Sequence, residues 1–250
     1  MNDILVSADG LTKTFTSRRG TVHAAVDVSF ECSAGRIFGL LGPNGAGKTT
    51  TLRMLATILT PTAGSATIAG FDVQSQPGAV RERIGFLATE TGLYDRFTAR
   101  ETLRFFGRIN SLSAEEIRRR SDEIFATLDM TALADRRVGT FSTGEKQKLS
   151  LARSILHDPP VLILDEPTFG LDVMAARTVV DTIALFREQG RTILLSTHIM
   201  RVAEKLCDRI GILYRGRLHA LGTLDELTKR FGGNDLEEVF FSAVGRESED

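Results

Sequence analysis

The segment from Gly42 to Thr49 has the composition of a loop that binds phosphate groups. It reads Gly-Pro-Asn-Gly-Ala-Gly-Lys-Thr and fits the pattern G-x-x-x-x-G-K-[ST]. Its glycines allow the backbone to curl so that successive N–H groups point inward, and the Lys48 ammonium supplies a positive charge for the outer phosphates. The Thr49 hydroxyl is suited to ligate Mg²⁺. The predicted phosphate contacts come from one continuous stretch: Gly42, Pro43, Asn44, Gly45, Ala46, Gly47, Lys48, Thr49 and Thr50.

Two carboxylates follow a short apolar segment later in the chain. Asp165 and Glu166 come directly after Val161–Leu164, four consecutive apolar residues typical of a strand buried on both faces of a parallel sheet. Such a strand ends at the sheet edge where ligands bind. We predict that Asp165 holds Mg²⁺, directly or through a water, and that Glu166 orients or deprotonates an attacking water. The alternative is that the pair only begins a loop or caps the next helix.

The elements that must position these residues alternate between strands and helices. Strands are predicted at 4–8, 22–30, 36–41, 66–69, 84–87, 161–164, 192–196, 209–214 and 217–220, and helices at 48–59, 78–83, 173–188, 200–206, 224–230 and 235–243. From Thr98 to Met130 only helical patterns occur, with a capping box predicted at Ser113 and Glu116, and a further helix is predicted over 144–156. We therefore predict an α/β domain interrupted by an all-helical insertion at about 95–157.

Composition and charge narrow the function classes. The chain has 250 residues, which suggests one large domain or one domain with a smaller appendage. Its formal net charge of −1 argues against a dedicated nucleic-acid binder, which would be clearly basic. With Cys32 and Cys207 as its two cysteines, neither a disulfide framework nor a cysteine-rich metal site is expected, and a reduced, cytosolic environment fits best.

The apolar runs are short. The most apolar stretches, 37–41 and 161–164, are far below the roughly 20 residues that a spanning helix needs, and the first residues lack the basic segment of a signal peptide. We expect that, if the protein works at a membrane, another chain supplies the membrane span.

Three further motifs resemble those of the ABC ATPases. Phe141–Lys148 and the helix that follows are similar to the family's signature motif, usually written LSGGQ. Pro167–Asp172 resembles its D-loop, and Ser196-Thr197-His198 resembles the segment that carries its switch histidine. Order and spacing agree from about residue 4 to residue 222. This resemblance implies an ATP-hydrolysing protein with ATP and Mg²⁺ as its ligands.

The resemblance also implies a fold and its division. We expect an α/β fold with a RecA-like P-loop NTPase core and a mainly parallel sheet, an N-terminal antiparallel β-subdomain and an all-helical insertion. Residues 1–230 would form the nucleotide-binding domain, with the helical subdomain at about 95–157 inserted in it. Residues 231–250 would form a C-terminal helical tail.

In this family two ATPase domains pair head to tail and hold each ATP between the phosphate loop of one and the signature helix of the other. The resemblance implies that Ser142 and the Gly144 N–H contact the γ-phosphate across that interface. It makes His198 a catalytic partner of Glu166 and Lys48, with a hydrogen bond to the γ-phosphate. Phe15 stands where the family stacks an aromatic ring on adenine; the alternative is a core phenylalanine.

The sequence departs from the family pattern at a metal position. Thr89 stands where the family carries a glutamine that contacts Mg²⁺, and Glu90 is the alternative substitute. In the signature motif, Thr143 and Glu145 replace the usual glycine and glutamine, while Ser142 and Gly144 remain.

Within the family, the stretches 85–101 and 141–160 are similar to the NatA-type ATPases of two-component sodium exporters. This similarity implies a subunit that drives a separate membrane permease from the cytoplasmic face, as a homodimer or paired with another ABC ATPase, with sodium as one cargo and drugs or antibiotics as others. Apolar residues on the insertion are expected to receive the permease (Phe97, Leu103, Phe105 and Phe106), although ordinary core packing explains each of them equally well. The alternative function is a cytosolic ABC-type ATPase of an assembly machine, such as an iron–sulfur scaffold.

Overall fold

The computed structural model describes residues 3–18, 20–89, 92–233 and 235–245. Its strands are β1 (Ile4–Ser17), β2 (Gly20–Ser33), β3 (Ile37–Leu41), β4 (Ala63–Ile68), β5 (Phe71–Asp72), β6 (Ile84–Leu87), β7 (Val161–Asp165), β8 (Thr192–Thr197), β9 (Arg209–Tyr214) and β10 (Arg217–Gly222). Its α-helices are α1 (Lys48–Leu55), α2 (Pro77–Arg83), α3 (Ala99–Ile109), α4 (Ala114–Thr127), α5 (Thr143–Ile155), α6 (Val173–Glu188), α7 (Met200–Leu206), α8 (Leu224–Phe231) and α9 (Leu236–Gly245).

The larger sheet places the ends of its central strands at one edge. Its order is β10-β9-β3-β8-β7-β6, and the pairs from β9 to β6 are parallel. All residues of β3, β7 and β8 are buried, as expected for strands covered on both faces. The register pairs Leu41 with Thr197 and Asp165 with Ser196, so three strands end side by side. The predicted α/β fold with a mainly parallel core sheet is confirmed.

A second, antiparallel sheet packs beside the core, as predicted for the N-terminal region. Its strand order is β2-β1-β4-β5. The first strand is much longer than the predicted 4–8, because β1 passes through register shifts after Ala8 and continues to Ser17. In this extension Phe15 pairs with Val22 on β2. The β-branched threonines at 12, 14 and 16 favour this extended conformation.

The region between β6 and β7 is built on α3, α4 and α5. Each of these helices begins with a capping box, formed by Thr98, Ser113 and Ser142 with the glutamate three residues later. The predicted box at Ser113 is therefore present. A single apolar cluster joins this region to one face of the larger sheet. In it, Leu103, Phe125 and Leu149 pack together with Leu162 and Leu164 of β7.

Several predicted element boundaries are wrong. Helix α1 ends at Leu55 instead of residue 59, because Thr57 adopts a left-handed conformation with φ 59°. Strand β4 begins at Ala63 and stops before Ala69, whose φ of 50° starts the turn into the unpredicted strand β5. Helices α6 and α7 have the predicted bounds.

The last two helices pack on the core. Leu236, Val239 and Phe240 of α9 share an apolar cluster with Ile210 and Ile212 of β9. In the described part of the chain, no helix combines the length and the apolar character that crossing a membrane requires.

Candidate nucleotide site

The phosphate loop lies between a buried strand and a helix. It leaves β3 at Leu41 and enters α1 at Lys48, so the helix N-terminus points at the loop. Gly47 has a φ of 104°, and a Cβ on it would lie 2.3 Å from the carbonyl oxygen of Ala24. Only glycine fits this position, because both the backbone angle and the close neighbour exclude a side chain.

A cavity of about 510 Å³ opens over this loop. Its volume is within the range of small-molecule sites. Most of the predicted nucleotide residues line it, together with residues of the β1–β2 hairpin and the segment after β7: Phe15, Val22, His23, Ala24, Pro43, Asn44, Gly45, Ala46, Gly47, Lys48, Thr49, Thr50, Thr89, Glu166 and Phe169. The structure thus brings together residues that are more than 100 positions apart in sequence.

Lys48 lies at the base of the cavity and is almost completely buried. Its Nζ donates to the carbonyl oxygens of Gly42, at 2.6 Å, and Pro43, at 3.1 Å. It also pairs with Glu166 Oε1 at 3.0 Å, and the two side chains are 5% and 7% exposed. A buried ammonium needs such partners, because an unpaired charge away from water costs several kcal/mol. Any phosphate that binds Lys48 must therefore compete with Glu166.

Three hydroxyl groups surround the Asp165 carboxylate at the end of β7. Thr49 Oγ1 donates to Oδ1 at 2.9 Å, Ser196 Oγ donates to Oδ1 at 2.7 Å, and Thr89 Oγ1 donates to Oδ2 at 3.0 Å. Asp165 is fully buried. The three residues predicted to hold a metal (Thr49, Thr89 and Asp165) lie in one hydrogen-bonded group. Carboxylate and hydroxyl oxygens are the donors that Mg²⁺ prefers, so this set fits the ion.

Glu166 connects Lys48 with His198. Its Oε2 accepts a hydrogen bond from His198 Nδ1 at 2.9 Å, and its backbone N–H donates to Ser196 Oγ at 2.9 Å. Glu166 has a φ of 49°, which is uncommon for a residue with a side chain and is often found at functional sites. The Glu166 carboxylate is thereby held beside the phosphate loop, with Oε1 contacting Lys48 and Oε2 contacting His198.

The rim of the cavity carries two aromatic side chains. Phe15 is 42% exposed, which excludes the alternative of a core phenylalanine. The Lys13 ammonium lies 5.3 Å from the centre of its ring. Phe169 is 55% exposed, and its ring meets that of His198 edge to face, with centroids 6.5 Å apart. Sequence reasoning did not assign a role to Phe169 or Ser196, although both belong to segments that resemble family motifs.

Ser142 and Gly144 lie outside this cavity. Ser142 is exposed at the start of α5, where its hydroxyl accepts from the Glu145 N–H at 3.2 Å. Gly144 packs against α6, since a Cβ on it would lie 2.9 Å from that of Ala175. The structure therefore does not bring the signature residues to the phosphate loop of their own chain. Glu90, the alternative to Thr89, falls outside the described residues.

Comparisons with known proteins agree on one family. Residues 25–169 match the family model described as ABC transporter. The chain is 39% identical over 243 residues to the ABC transporter ATP-binding protein NatA of Bacillus subtilis, which covers 97% of this chain and 99% of that protein. It is 37% identical over 240 residues to the Nod factor export ATP-binding protein I of a Rhizobium species, covering 96% and 78%.

Two solved structures extend the comparison to three dimensions. The ATP-binding subunit of an ABC transporter superposes with a TM-score of 0.85 at 31% identity, covering 96% of this chain and 99% of that one. A dimeric ATP-binding cassette in a post-hydrolysis state, bound to ADP and phosphate, gives a TM-score of 0.79 at 25% identity, covering 88% and 98%.

Proposed function

Because the chain belongs to the ABC transporter family, we propose that it drives sodium export through a separate membrane permease. It is an ABC-type ATPase and the ATP-binding subunit of an exporter. The observation that carries the ATPase part of the proposal is the contact of Glu166 with both Lys48 and His198 at the phosphate loop.

ATP enters the cavity with its phosphates in the loop and its adenine on the exposed face of Phe15. The loop N–H groups and the helix dipole attract the phosphates. The Lys48 ammonium then breaks its ion pair with Glu166 and binds phosphate oxygens instead. The exchange removes the Lys48 ammonium from Oε1 of Glu166. Binding of ATP therefore leaves this carboxylate oxygen free to accept a proton.

Asp165, Thr49 and Thr89 are the residues that would hold Mg²⁺. When bound with ATP, the ion neutralises charge on the β- and γ-phosphates. The Asp165 carboxylate is kept in one orientation by Ser196, which donates to it from the neighbouring strand. The hydrogen bond from Ser196 fixes the orientation of the Asp165 carboxylate, as such bonds commonly do for carboxylates that ligate metals.

Glu166 acts as the general base for the attacking water. Its carboxylate oxygen, freed from Lys48, accepts a proton from water, while His198 holds the other oxygen and so fixes its direction. The histidine side chain is 37% exposed, so part of it faces the open side of the site. Phe169 stands beside this pair at the rim and limits the access of further water.

A second ATPase chain completes the site. Ser142 and the Gly144 N–H lie at the N-terminus of α5, a helix of 13 residues, and neither residue lines the cavity over its own phosphate loop. A head-to-tail pair would place them on the γ-phosphate of the partner, where a helix N-terminus stabilises negative charge. The similar cassette solved as a dimer supports this arrangement.

The helical insertion provides the surface for the permease. Tyr94, Phe97, Phe105 and Phe106 form a cluster of rings with neighbouring centroids 5.1–6.0 Å apart. Tyr94 is 52% exposed and Phe105 is 39% exposed. Such an aromatic patch on a protein surface is typical of an interaction site. We place the chain at the cytoplasmic face of the membrane, attached through this patch.

Sodium as cargo rests on similarity alone. The similarity extends over nearly the full length of the relative named NatA, and it includes the stretches 85–101 and 141–160 that resemble sodium-exporting ATPases. The relative named for Nod factor export shows that a related subunit serves a different cargo.

The test uses inside-out membrane vesicles that contain the permease together with wild-type chain or Glu166→Gln. Without its base, the variant should bind ATP at least as tightly as wild type, because Lys48 no longer pairs with a carboxylate, but it should hydrolyse ATP at least about 100-fold more slowly. ATP-driven uptake of radioactive sodium should occur with the wild type and be absent with the variant. Glu188→Gln, an exposed glutamate at the end of α6, is the matched control and should behave as wild type.

The outcomes separate the parts of the proposal. Hydrolysis by Glu166→Gln at the wild-type rate would contradict the role of Glu166. Normal hydrolysis in vesicles that accumulate no sodium would exclude sodium as cargo and leave the ATPase assignment intact.

A further inference from the structure

A groove between α3 and α4 forms a second cavity, which we call the α3–α4 groove. It has a volume of about 400 Å³. Its walls are the facing sides of the two helices, with contributions from the residues around them: Thr98, Arg100, Glu101, Arg104, Arg108, Ala114, Ile117, Arg118, Ser121 and Asp135. None of these residues lines the nucleotide cavity, so the two cavities are separate.

The lining of the groove is strongly basic. Arg100 is neutralised by Asp122, at 2.6 Å, and by Asp135, at 3.2 Å. In contrast, the guanidinium groups of Arg104, Arg108 and Arg118 have no hydrogen-bond or ion-pair partner among the described residues. The four arginines of the lining face two carboxylates of the lining and the Asp122 carboxylate beside it, so positive charge is in excess.

A buried hydroxyl in the groove also lacks a partner. Ser121 is 1% exposed, and no group in the described chain forms a hydrogen bond with its Oγ. Buried serines in helices usually donate to a carbonyl of the preceding turn, as Ser150 does to Lys146 at 2.9 Å. A buried polar group without a partner is unfavourable and uncommon, so its presence in a groove with free arginines points to a missing ligand atom.

Close helix packing makes the groove rigid and gives it an apolar floor. Gly107 of α3 is buried against Ile117 of α4, and a Cβ on it would lie 2.5 Å from Ile117 Cγ1. Ile117, which is 5% exposed, and Ala114 supply the apolar part of the lining. Capping boxes at Thr98 and Ser113 hold the start of both helices in place.

We propose that the α3–α4 groove binds a phosphate monoester, with its dianionic head on the free arginines and the Ser121 hydroxyl. A monoester carries nearly two negative charges at neutral pH, which the three arginines without a partner can offset. Guanidinium groups recognise phosphate through paired hydrogen bonds. The apolar floor accommodates the carbon part of the ligand. The monoester comes from a dissolved organic phosphate or from the headgroup of a lipid such as phosphatidic acid.

The test measures binding of phenyl phosphate to the full chain by calorimetry. ADP and Mg²⁺ are present in excess, so that the phosphate loop is occupied. We expect one further site, lost in Arg104→Ala/Arg118→Ala, which removes one free arginine from each wall. Arg119→Ala/Arg201→Ala removes the same charge from exposed positions outside the groove and should bind as wild type. Ser121→Ala, which keeps all arginines, should weaken binding about tenfold.

Vesicles distinguish the two sources of the monoester. If vesicles of phosphatidic acid in phosphatidylcholine retain the wild type and the control variant, but not Arg104→Ala/Arg118→Ala, the ligand is a lipid headgroup. If phenyl phosphate binds and these vesicles retain all variants equally or none, the ligand is a dissolved organic phosphate. The proposal is overturned if neither probe binds, or if the groove variant binds both probes as well as the control does.

Discussion

At the residue scale, Ser196 is the hydroxyl that joins the two acidic residues of the site. Its Oγ donates to Asp165 Oδ1 at 2.7 Å and accepts the Glu166 N–H at 2.9 Å, and the residue is fully buried. Ser196→Ala would leave a buried N–H and a buried carboxylate each without one partner. We expect the variant to lose about 1–3 kcal/mol of unfolding free energy and to hydrolyse ATP more slowly. Chemical denaturation and steady-state ATPase assays measure the two effects.

Ser154→Ala is the control for this prediction. Ser154 is also buried, but its hydroxyl donates only to Leu151 in the same helix, so its loss should have a small effect on stability and none on hydrolysis. A Ser196→Ala variant as stable and as active as wild type would contradict the assigned role.

The contacts of single residues are the part of the site that the sequence predicts least. The residue types of the phosphate loop and of the acidic pair predict phosphate and metal chemistry. The pairing of Lys48 with Glu166 depends on β3 and β7 ending at the same edge of the sheet, on either side of β8, and the position of Ser196 depends on the β7–β8 register. The arrangement of the strands in the sheet sets the distances between these side chains, and a local sequence pattern does not predict them.

At the element scale, two helices offer a matched test of the signature serine. Ser113 and Ser142 begin α4 and α5 with the same capping box, and each hydroxyl accepts from a glutamate N–H at 3.2 Å. Replacing either serine by alanine should cost about 1 kcal/mol of stability through the lost cap. Only Ser142→Ala should also impair ATP hydrolysis, because only Ser142 is proposed to contact the partner's nucleotide.

Thermal unfolding and ATPase rates of both variants measure this difference. Ser113→Ala is the control, because it shows how much the loss of a helix cap alone changes the ATPase rate. Equal ATPase rates in the two variants would show that Ser142 acts only as a helix cap.

The junction of α5 and β6 makes stability depend on pH. His157 Nε2 donates to the Ile84 carbonyl at 2.9 Å, and Nδ1 is buried without a partner among the described residues. Burial, followed by the nearby Arg120 charge, lowers the pKa of His157 below its ordinary value of 6.5, although the hydrogen bond to Ile84 and the charge of Asp158 oppose this shift. Below that pH the unfolded chain takes up a proton that the folded chain does not, so stability falls as the pH decreases.

Unfolding midpoints of wild type and His157→Gln between about pH 5 and 8 test this linkage. The variant lacks the titrating ring, so its stability should fall less steeply than that of wild type below pH 6.5. Parallel curves for the two proteins would contradict the lowered pKa.

Element prediction succeeds where periodicity is strong and fails where backbone conformation decides. The apolar periodicity of α6 predicts both of its ends. The predicted end of α1 is four residues too late. Thr57 ends the helix by adopting a left-handed conformation, and the sequence does not indicate this because threonine rarely adopts it. The extension of β1 to Ser17 depends on pairing with β2, which a local pattern does not show.

At the scale of the whole molecule, one chain contains only part of the proposed catalytic site. The phosphate loop, Asp165, Glu166 and His198 meet at one edge of the core sheet, whereas Ser142 begins a helix outside that cavity. A symmetric pair of chains would form two complete sites, each with a loop from one chain and a serine from the other. The central claim is therefore that hydrolysis requires residues from two chains.

Mixing two inactive variants tests this claim most directly. Lys48→Ala disables the loop and keeps the signature helix, and Ser142→Arg keeps the loop and blocks the signature helix. Each variant alone should be inactive. An equal mixture should recover roughly a quarter of wild-type ATPase activity, since half of the pairs then contain one intact site of two. A mixture as inactive as its separate components, despite pairing of the chains, would contradict the shared site.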